Sequence, residues 1–457
     1  MSHGMLGDLA GQVGGALHGD DAHFDGVSTD TRTLGRAMLF VALKGPRYDG
    51  HDYLEAASER GAAGALVQRR LDAPLPQVVV ADTRNALGRH ARAWRRRFEL
   101  PVVGVTGSNG KTTVKEMIAA ILSRRGPVHA TRGNLNNDVG VPVTLTGLGP
   151  QHQAAVIELG TNHPGEIAYL AHLALPSIGV LTNAAPAHLQ GFGSVAAVAR
   201  EKGALFAALP PDGTAIINAD DPHAGLWEAM VESRRIVRFG AHRNADFQCR
   251  DVVQRVAGSG LELAVRVSSP LGELDLCVPL AGPHNALNAT CAAAAAWAAG
   301  ADARDIADGL ATMRGVSGRM QVVAAMNGAR MIDDSYNANP ASMHAAIGCL
   351  AALPAPRWLV IGDMAELGDQ QLALHAGVGE RARAAGITRL YATGPLSRAA
   401  VDAFGSGGLW YADVESMIAA LAQELAAPVT VLVKASRSAR LERVVAALTA
   451  RPGGTER

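Results

Sequence analysis

"GVTGSNGKTTVKEM", Gly104 to Met117, reads as the end of a buried strand, a glycine-bearing loop and the start of a helix. Upstream, "PVVGVT" is an apolar run of strand length, and downstream Val114, Met117, Ile118, Ile121 and Leu122 recur at helical spacing. A strand–loop–helix of this kind predicts a phosphate-binding loop on an α/β sheet. Its glycines let backbone N–H groups point at phosphate oxygens, and the helix N-terminus adds favourable potential. Gly107, Ser108, Asn109, Gly110, Lys111, Thr112 and Thr113 form the candidate cradle. Lys111 would reach β/γ-phosphates and the Thr112 hydroxyl a Mg2+. The generic pattern G-x-x-x-x-G-K-[ST] asks for glycine at position 105, where Val105 stands. Motors, switches, kinases and ligases all bind nucleotide this way, so the loop alone does not choose among them.

Working outward, the strand–helix alternation continues. "AAVIEL" (154–159), "SIGVLTN" (177–183) and "TAIINAD" (214–220) are further strands with loop and helix signals between them, the pattern of a mostly parallel, doubly wound sheet. Between Asp246 and Leu280, "LELAVRV" and "LDLCV" alternate apolar and polar residues and predict a short antiparallel sheet appended to this domain. Before it, "MLFVAL" (38–43) and "QVVVAD" (77–82) read as strands, "HDYLEAASERGAAG" as the helix between them, and a helix of about a dozen residues ends near Phe98. After "MRGVSGRMQ", the strands "RMIDDS", "RWLVIGD", "TRLYATG" and "VTVLVKAS" start another doubly wound region. The expected class is α/β with three domains, residues 1–84, 85–314 and 315–457.

Composition agrees with folded domains: of 457 residues 48% are hydrophobic and 18% charged. Lys+Arg and Asp+Glu are both 42, so net charge offers no case for a nucleic-acid or membrane-surface partner. The basic cluster "RHARAWRRRF" (89–98) reads as a solvated helix face around Trp94 and Phe98. Four scattered cysteines lack metal or disulfide spacing and fit a reducing compartment. The start "MSHGMLGDLAGQVGG" has no secretory pattern, and "CAAAAAWAAGA" reads as a buried Ala-rich helix, so a cytoplasmic protein without membrane insertion is expected.

The stretch T-G-x-N-G-K-T resembles the phosphate loop of the Mur ligase family, ATP-dependent amide ligases of peptidoglycan precursor synthesis; folylpolyglutamate synthases carry a related loop. "GNLNNDVGVP", "ELGTNHPGEI", "LTNAAPAHLQGFGS", "REKGALF" and "GPHNALNA" resemble the family's central domain, in order. "GRMQ", "DDSYNANPASM", "GDMAELG" and "VLVKASRSARLERVV" resemble its C-terminal domain, and "VSTDTRTLGRAMLFVALKGPRYDGHDYL" its nucleotide-sugar domain. "SYNANP" and "DMAELG" are similar to the branch whose substrates are UDP-N-acetylmuramoyl-tripeptide and D-alanyl-D-alanine. A sister adding the third amino acid would carry a "DYAHTP"-like stretch there, and folate enzymes lack the "STDTR" domain. A catalytically silent nucleotide-binding regulator would be expected to lose Lys111, Glu158, His188 or Lys202, and all four stand in the chain.

The resemblance assigns further residues. Glu158 already lies at the carboxyl edge of the sheet, where ligands bind. The resemblance makes it a metal ligand, together with His188, which by itself reads as a surface loop residue. Lys202 in "REKGALF" reads plainly as a solvated charge; the resemblance implies a carbamate there, able to bind a second Mg2+. It puts Asn285 and Asn288 on adenine, although Asn285 also suits helix capping, and Arg319 and Asp334 on the ATP phosphates and ribose. Ser28, Asp30 and Arg32 would face the nucleotide sugar, with Asn136 and Asn137 also on the substrate side. Asn337, Asn339, Lys434, Ser436 and Arg437 would face the dipeptide, whose carboxylate suits Arg437. A monomer is expected. Chemically, a carboxylate meets an amine only after activation: a γ-phosphoryl transfer makes an acyl phosphate, whose phosphate leaves when the amine attacks.

Overall fold

The computed structural model describes residues 3–449, apart from 187–188, 243, 258–259, 314 and 316. Its described strands form three large sheets and one two-stranded ribbon. In the first, Val27–Ser28, Leu39–Val41, Gly64–Val67 and Gln77–Val79 run parallel, and Ala16–His18 closes the far edge antiparallel. The expected helix between the strands is short, Leu54–Glu59 after a 3-10 turn at Gly50–Tyr53. It stops because Gly61 turns left-handed at φ +79°, which frees "GALV" to become the strand Gly64–Val67.

The second sheet has nine strands. From one edge they are Val128–Ala130, Ala154–Glu158, Val102–Thr106, Ile178–Leu181, Thr214–Asn218, Arg235–Gly240, Phe247–Ala257, Gly260–Ser269 and Gly272–Val278. The predicted antiparallel segment does not stand apart. Phe239 pairs with Phe247 and Gly240 with Gln248, so the hairpins continue the parallel sheet. Chain order reverses around Val102–Thr106, which places a crevice outside the carboxyl ends of the central strands. The helix Lys111–Leu122 buries Val114, Met117, Ile118, Ile121 and Leu122, as its spacing predicts. Most of the alanine-rich stretch lies in the helix His284–Ala298, with Ala292 to Ala296 buried. Val105 lies inside a strand paired on both sides, so a side chain is accommodated there and the cradle begins two residues later, at Gly107.

The third sheet has six strands in the order Gln321–Ala324, Arg330–Asp334, Thr430–Lys434, Arg357–Ile361, Arg389–Thr393 and Gly408–Tyr411, all parallel except the first. Among the described residues no helix is long and apolar enough to cross a membrane.

Two seams join these sheets. The helix Thr83–Arg95 belongs to both neighbours: Ala86 and Leu87 pack with Leu6, Leu9 and Leu66, while Ala91 and Trp94 pack with Leu145, Ile157 and Leu170. The reading of its basic cluster as a solvated face holds for Arg89, Arg96 and Arg97, which are exposed, and is corrected for Arg95. Arg95 is buried and donates to the carbonyls of Ala174, Leu175 and Phe98, and Arg92 donates to that of His172. The C-terminal carbonyls of the helix Glu166–Ala174 lack partners of their own and draw these guanidiniums in. At the second seam, Leu261 and Ala281 join the core around Met320, Met343 and Ile347. Gln254 accepts from Gly282 N at 3.0 Å and lies 3.8 Å from the Cys349 thiol. The rest of that seam is polar.

Candidate active site

The polar seam encloses a cleft of about 700 Å³ lined by the loop at residues 108–113, Asn136, Asn137, Glu158, Asn285, Asn288, Arg319, Asp334, Asn337, Asn339, Lys434 and Arg437. It thus collects most of the sequence-predicted residues from chain segments far apart. Gly107 adopts φ +147° and Gly110 φ +81°; a Cβ on Gly107 would lie 1.9 Å from the Thr182 hydroxyl, and one on Gly110 2.6 Å from Asn288 Oδ1. Only glycine fits either place.

The loop is held from beneath by the next strand. Ser108 N donates to Asn183 O (2.9 Å), Asn109 N to Asn183 Oδ1 (3.0 Å), and the Thr182 hydroxyl to Asn109 O (2.6 Å). Gly110 caps the helix with no side-chain acceptor for its first N–H groups, the arrangement that receives phosphate oxygens. Lys111 Nζ donates to Gly107 O at 2.7 Å. Burial lowers its pKa; the Glu158 carboxylate pulls the other way, and the Arg319 charge pushes it down further.

Glu158 is buried at its strand end. Asn136 Nδ2 donates to its Oε1 at 2.8 Å, and its backbone N–H donates to the Thr131 hydroxyl at 2.9 Å. Oε2 is buried and has no hydrogen-bond partner among the described residues. A buried carboxylate oxygen without a donor fits a cation, because leaving it bare carries a large desolvation penalty. Asn137, also on the cleft wall, precedes the helix Gly140–Thr146, and its Oδ1 accepts from Gly140 N at 2.8 Å. Lys202, in the helix Val195–Ala207, is not a solvated charge but 1% exposed. Its pKa falls well below the ordinary lysine value, through burial first and the neighbouring Lys111 charge second. His188 lies outside the described residues.

From the third domain, Asn339 caps the helix Pro340–Ala351 and its Nδ2 donates to Asn109 Oδ1 at 2.7 Å, directly onto the phosphate loop. Lys434 is paired with Asp334 (2.6 Å) and donates to Asn337 O (2.8 Å). Ser436 is buried outside the cleft lining, where its hydroxyl accepts from Ala365 N (2.8 Å) and donates to Ala338 O (3.3 Å). Asn288 Nδ2 donates to Asn285 Oδ1, and Asn285 Nδ2 to Ala281 O, so these amides also brace each other beside Gly110. Ser28, Asp30 and Arg32 do not line this cleft. They cluster at the end of Val27–Ser28, where Arg32 pairs with Asp30 at 2.7 Å and holds its carboxyl below the usual range.

Sequence reasoning assigned nothing to several lining groups, among them Asn183, His284 and Tyr336. Asn183 stands in the quoted "LTN" segment, and its position after a strand was the available signal. His284, beside Asn285, is half-buried, with its Nδ1 buried and unpartnered among the described residues. Tyr336 carries two guanidiniums, Arg319 at 4.4 Å and Arg437 at 5.6 Å from the ring centre.

Comparison with known proteins agrees with this geometry. Residues 105–296 match the Mur ligase middle domain, 318–437 the Mur ligase glutamate ligase domain and 23–95 the Mur ligase family catalytic domain. The chain is 46% identical over 446 residues to the UDP-N-acetylmuramoyl-tripeptide–D-alanyl-D-alanine ligase of Escherichia coli K12, covering 97% of this chain and 98% of that one. A crystal structure of MurF from Acinetobacter baumannii superposes with a TM-score of 0.89 at 32% identity, covering 98% of each chain. The Thermotoga maritima MurF ligase in complex with ADP gives 0.81 at 27% identity, covering 92% of this chain and 96% of that one.

Proposed function

The chain belongs to the Mur ligase family, and on that premise we propose that it joins D-alanyl-D-alanine to UDP-N-acetylmuramoyl-tripeptide with cleavage of ATP to ADP and phosphate. One observation carries the reading. Asn339, in the "SYNANP" segment that marks the dipeptide-adding branch, touches Asn109 of the phosphate loop at 2.7 Å. The acceptor-side and nucleotide-side elements therefore meet across one cleft.

The phosphate loop and Lys111 hold the ATP phosphates, and Arg319 adds positive charge from the third domain. The γ-phosphoryl group passes to the terminal carboxylate of the tripeptide; the dipeptide amine then attacks the acyl carbon, and phosphate leaves. The fixed donors of the loop stabilise charge on the moving phosphoryl without reorganising. Glu158, with its unpartnered Oε2, together with Thr112 and His188, would hold Mg2+, which when bound supplies positive charge between phosphates and carboxylate. Burial and the Lys111 charge lower the Lys202 pKa, which favours the neutral, desolvated amine that carbamate formation needs. Its Nζ adds to the carbon of CO2 and loses a proton, giving an anion for a second Mg2+.

Residues 1–84 would bind the nucleotide-sugar end through Ser28, Asp30 and Arg32, residues 85–314 the ATP, and residues 315–457 the dipeptide, closing on the nucleotide. Four unpaired cysteines support a cytoplasmic location for this enzyme.

Phosphate release with Mg2+–ATP and UDP-N-acetylmuramoyl-tripeptide tests the reading. Release is expected with D-alanyl-D-alanine and not with single amino acids, and the product gains the mass of one dipeptide residue. Release with a single amino acid would make the chain a sister ligase, and no release with any acceptor would make it a silent nucleotide binder.

A further inference from the structure

We propose that Tyr336 is a positioning residue that couples the nucleotide and acceptor halves of the cleft by holding Arg319 and Arg437 against one aromatic ring; this rests on the ligase reading above. Both guanidinium carbons lie over the ring, at 4.4 and 5.6 Å from its centre. The ring face attracts both cations, which would otherwise repel each other. A carboxylate could gather two arginines as well, but it would occupy their N–H donors. Stacking fixes the guanidinium planes and leaves the donor edges available for anionic oxygens.

The two arginines serve different sides. The Arg319 charge reaches Lys111 in the phosphate loop, and among the described residues Arg319 has no ion-pair partner. Arg437 follows the strand Thr430–Lys434 on the acceptor side, where its ion pair with Glu442 at 3.2 Å, the only one among the described residues, is largely exposed and of little strength. The backbone that carries the ring is tied down. Tyr336 N donates to Gly318 O (3.1 Å), Gly318 N to Asp333 Oδ2 (2.9 Å) and Met320 N to Asp334 Oδ1 (3.2 Å), so the two segments bearing Arg319 and Tyr336 are clasped together. A phosphate oxygen that fixes Arg319 steadies the ring, and with it Arg437. By linkage a carboxylate on Arg437 does the same in reverse.

Initial-rate kinetics of Tyr336→Phe and Tyr336→Leu test this, with Arg437→Ala and the Tyr336→Leu/Arg437→Ala double variant closing a cycle. Tyr336→Phe keeps the ring face, and both KM values should stay within about twofold of wild type. Tyr336→Leu should raise KM for dipeptide and for ATP, each roughly five- to thirty-fold, with a smaller fall in kcat. The dipeptide effect should shrink when Arg437 is already alanine. Equal impairment of the Phe and Leu variants, unchanged KM values in the Leu variant, or additive effects in the cycle would each overturn the proposal. The wild-type assay separates the two readings: a wild type inactive with the dipeptide defeats the ligase assignment, whereas an active wild type with an indifferent Leu variant defeats only the coupling.

Discussion

The two seams of this molecule are built from opposite materials. Between the first and central domains lies a shared helix, Thr83–Arg95, whose Trp94 is buried, stacked on His3 at 3.7 Å and hydrogen-bonded to Leu148 O at 3.1 Å. Between the central and third domains, apolar contact is confined to a few side chains such as Leu261 and Ala281, and hydrogen-bonding groups face one another across the cleft. A seam closed by apolar burial opens only at a cost comparable to unfolding. One closed by polar groups exchanges partners with water and ligand for a net change near 1 kcal/mol per bond. The first seam therefore packs as one continuous core, and the second is where we propose that the enzyme opens to admit substrates.

The largest expected effect lies in the polar seam. Lys202→Ala should lower turnover on the order of 10³-fold, the scale of losing a group that stabilises transition-state charge, while the protein stays folded. Short-chain carboxylic acids should restore part of the activity by replacing the carbamate oxygens. A fully active Lys202→Ala enzyme would remove the carbamate from the mechanism. In the apolar seam the pattern should invert. Trp94→Ala should cost about 3–5 kcal/mol of stability, read by denaturant unfolding, with KM values of the remaining folded enzyme little changed. A loss below about 1 kcal/mol would mean that the first seam is no more a core than the second.

Much of this was legible in the chain, unevenly. Val102–Thr106 and Ala154–Glu158 announce themselves as apolar runs because parallel strands covered on both faces carry few polar residues. The helix face at Val114, Met117 and Ile118 follows from local spacing alone. What local pattern cannot show is which distant group a side chain meets. The arginines of "RHARAWRRRF" have the spacing of a solvated face, yet Arg95 is buried because the carbonyls it serves end a helix some eighty residues on. Lys202 looks like one charge among "REK" until packing buries it; only resemblance singled it out. Tyr336 gave no signal, since Arg437 reaches its ring from the turn Arg437–Ala439, about a hundred residues further along the chain.

Acid should separate the seams by a smaller margin. His3 and His90 are buried, 3.2 Å apart, and His90 Nδ1 lies 2.8 Å from Gln12 Oε1. Burial lowers the His3 pKa to about 4 and that of His90 to about 3. The unfolded chain therefore takes up protons first as pH falls. The stability these rings contribute is fully present above about pH 6.5 and is lost progressively towards pH 4, by about 3 kcal/mol for His3 alone. Denaturation midpoints at pH 7.5 and 5 should show this decline, and His3→Phe, which keeps an aromatic ring beside Trp94, should flatten it. An unchanged slope in the variant would place the acid sensitivity elsewhere.

The smallest effect tests the polar seam at its single most direct contact. Asn339 does two things at once: its Oδ1 accepts from Ser342 N and caps a helix, while its Nδ2 reaches Asn109 across the seam. Alanine would remove both, so serine is the better probe: it remains a good cap but is too short to span to the loop. Asn339→Ser should leave the unfolding midpoint almost unchanged, because the helix keeps its first-turn partner. It should raise KM for ATP by about two- to tenfold, the worth of one hydrogen bond in the closed form. If KM stays put, closure does not depend on this contact and the polar seam is held by its charged groups. If instead stability falls while KM stays put, Asn339 acts only as a cap, and the contrast between the two seams weakens at the point where it was drawn most finely.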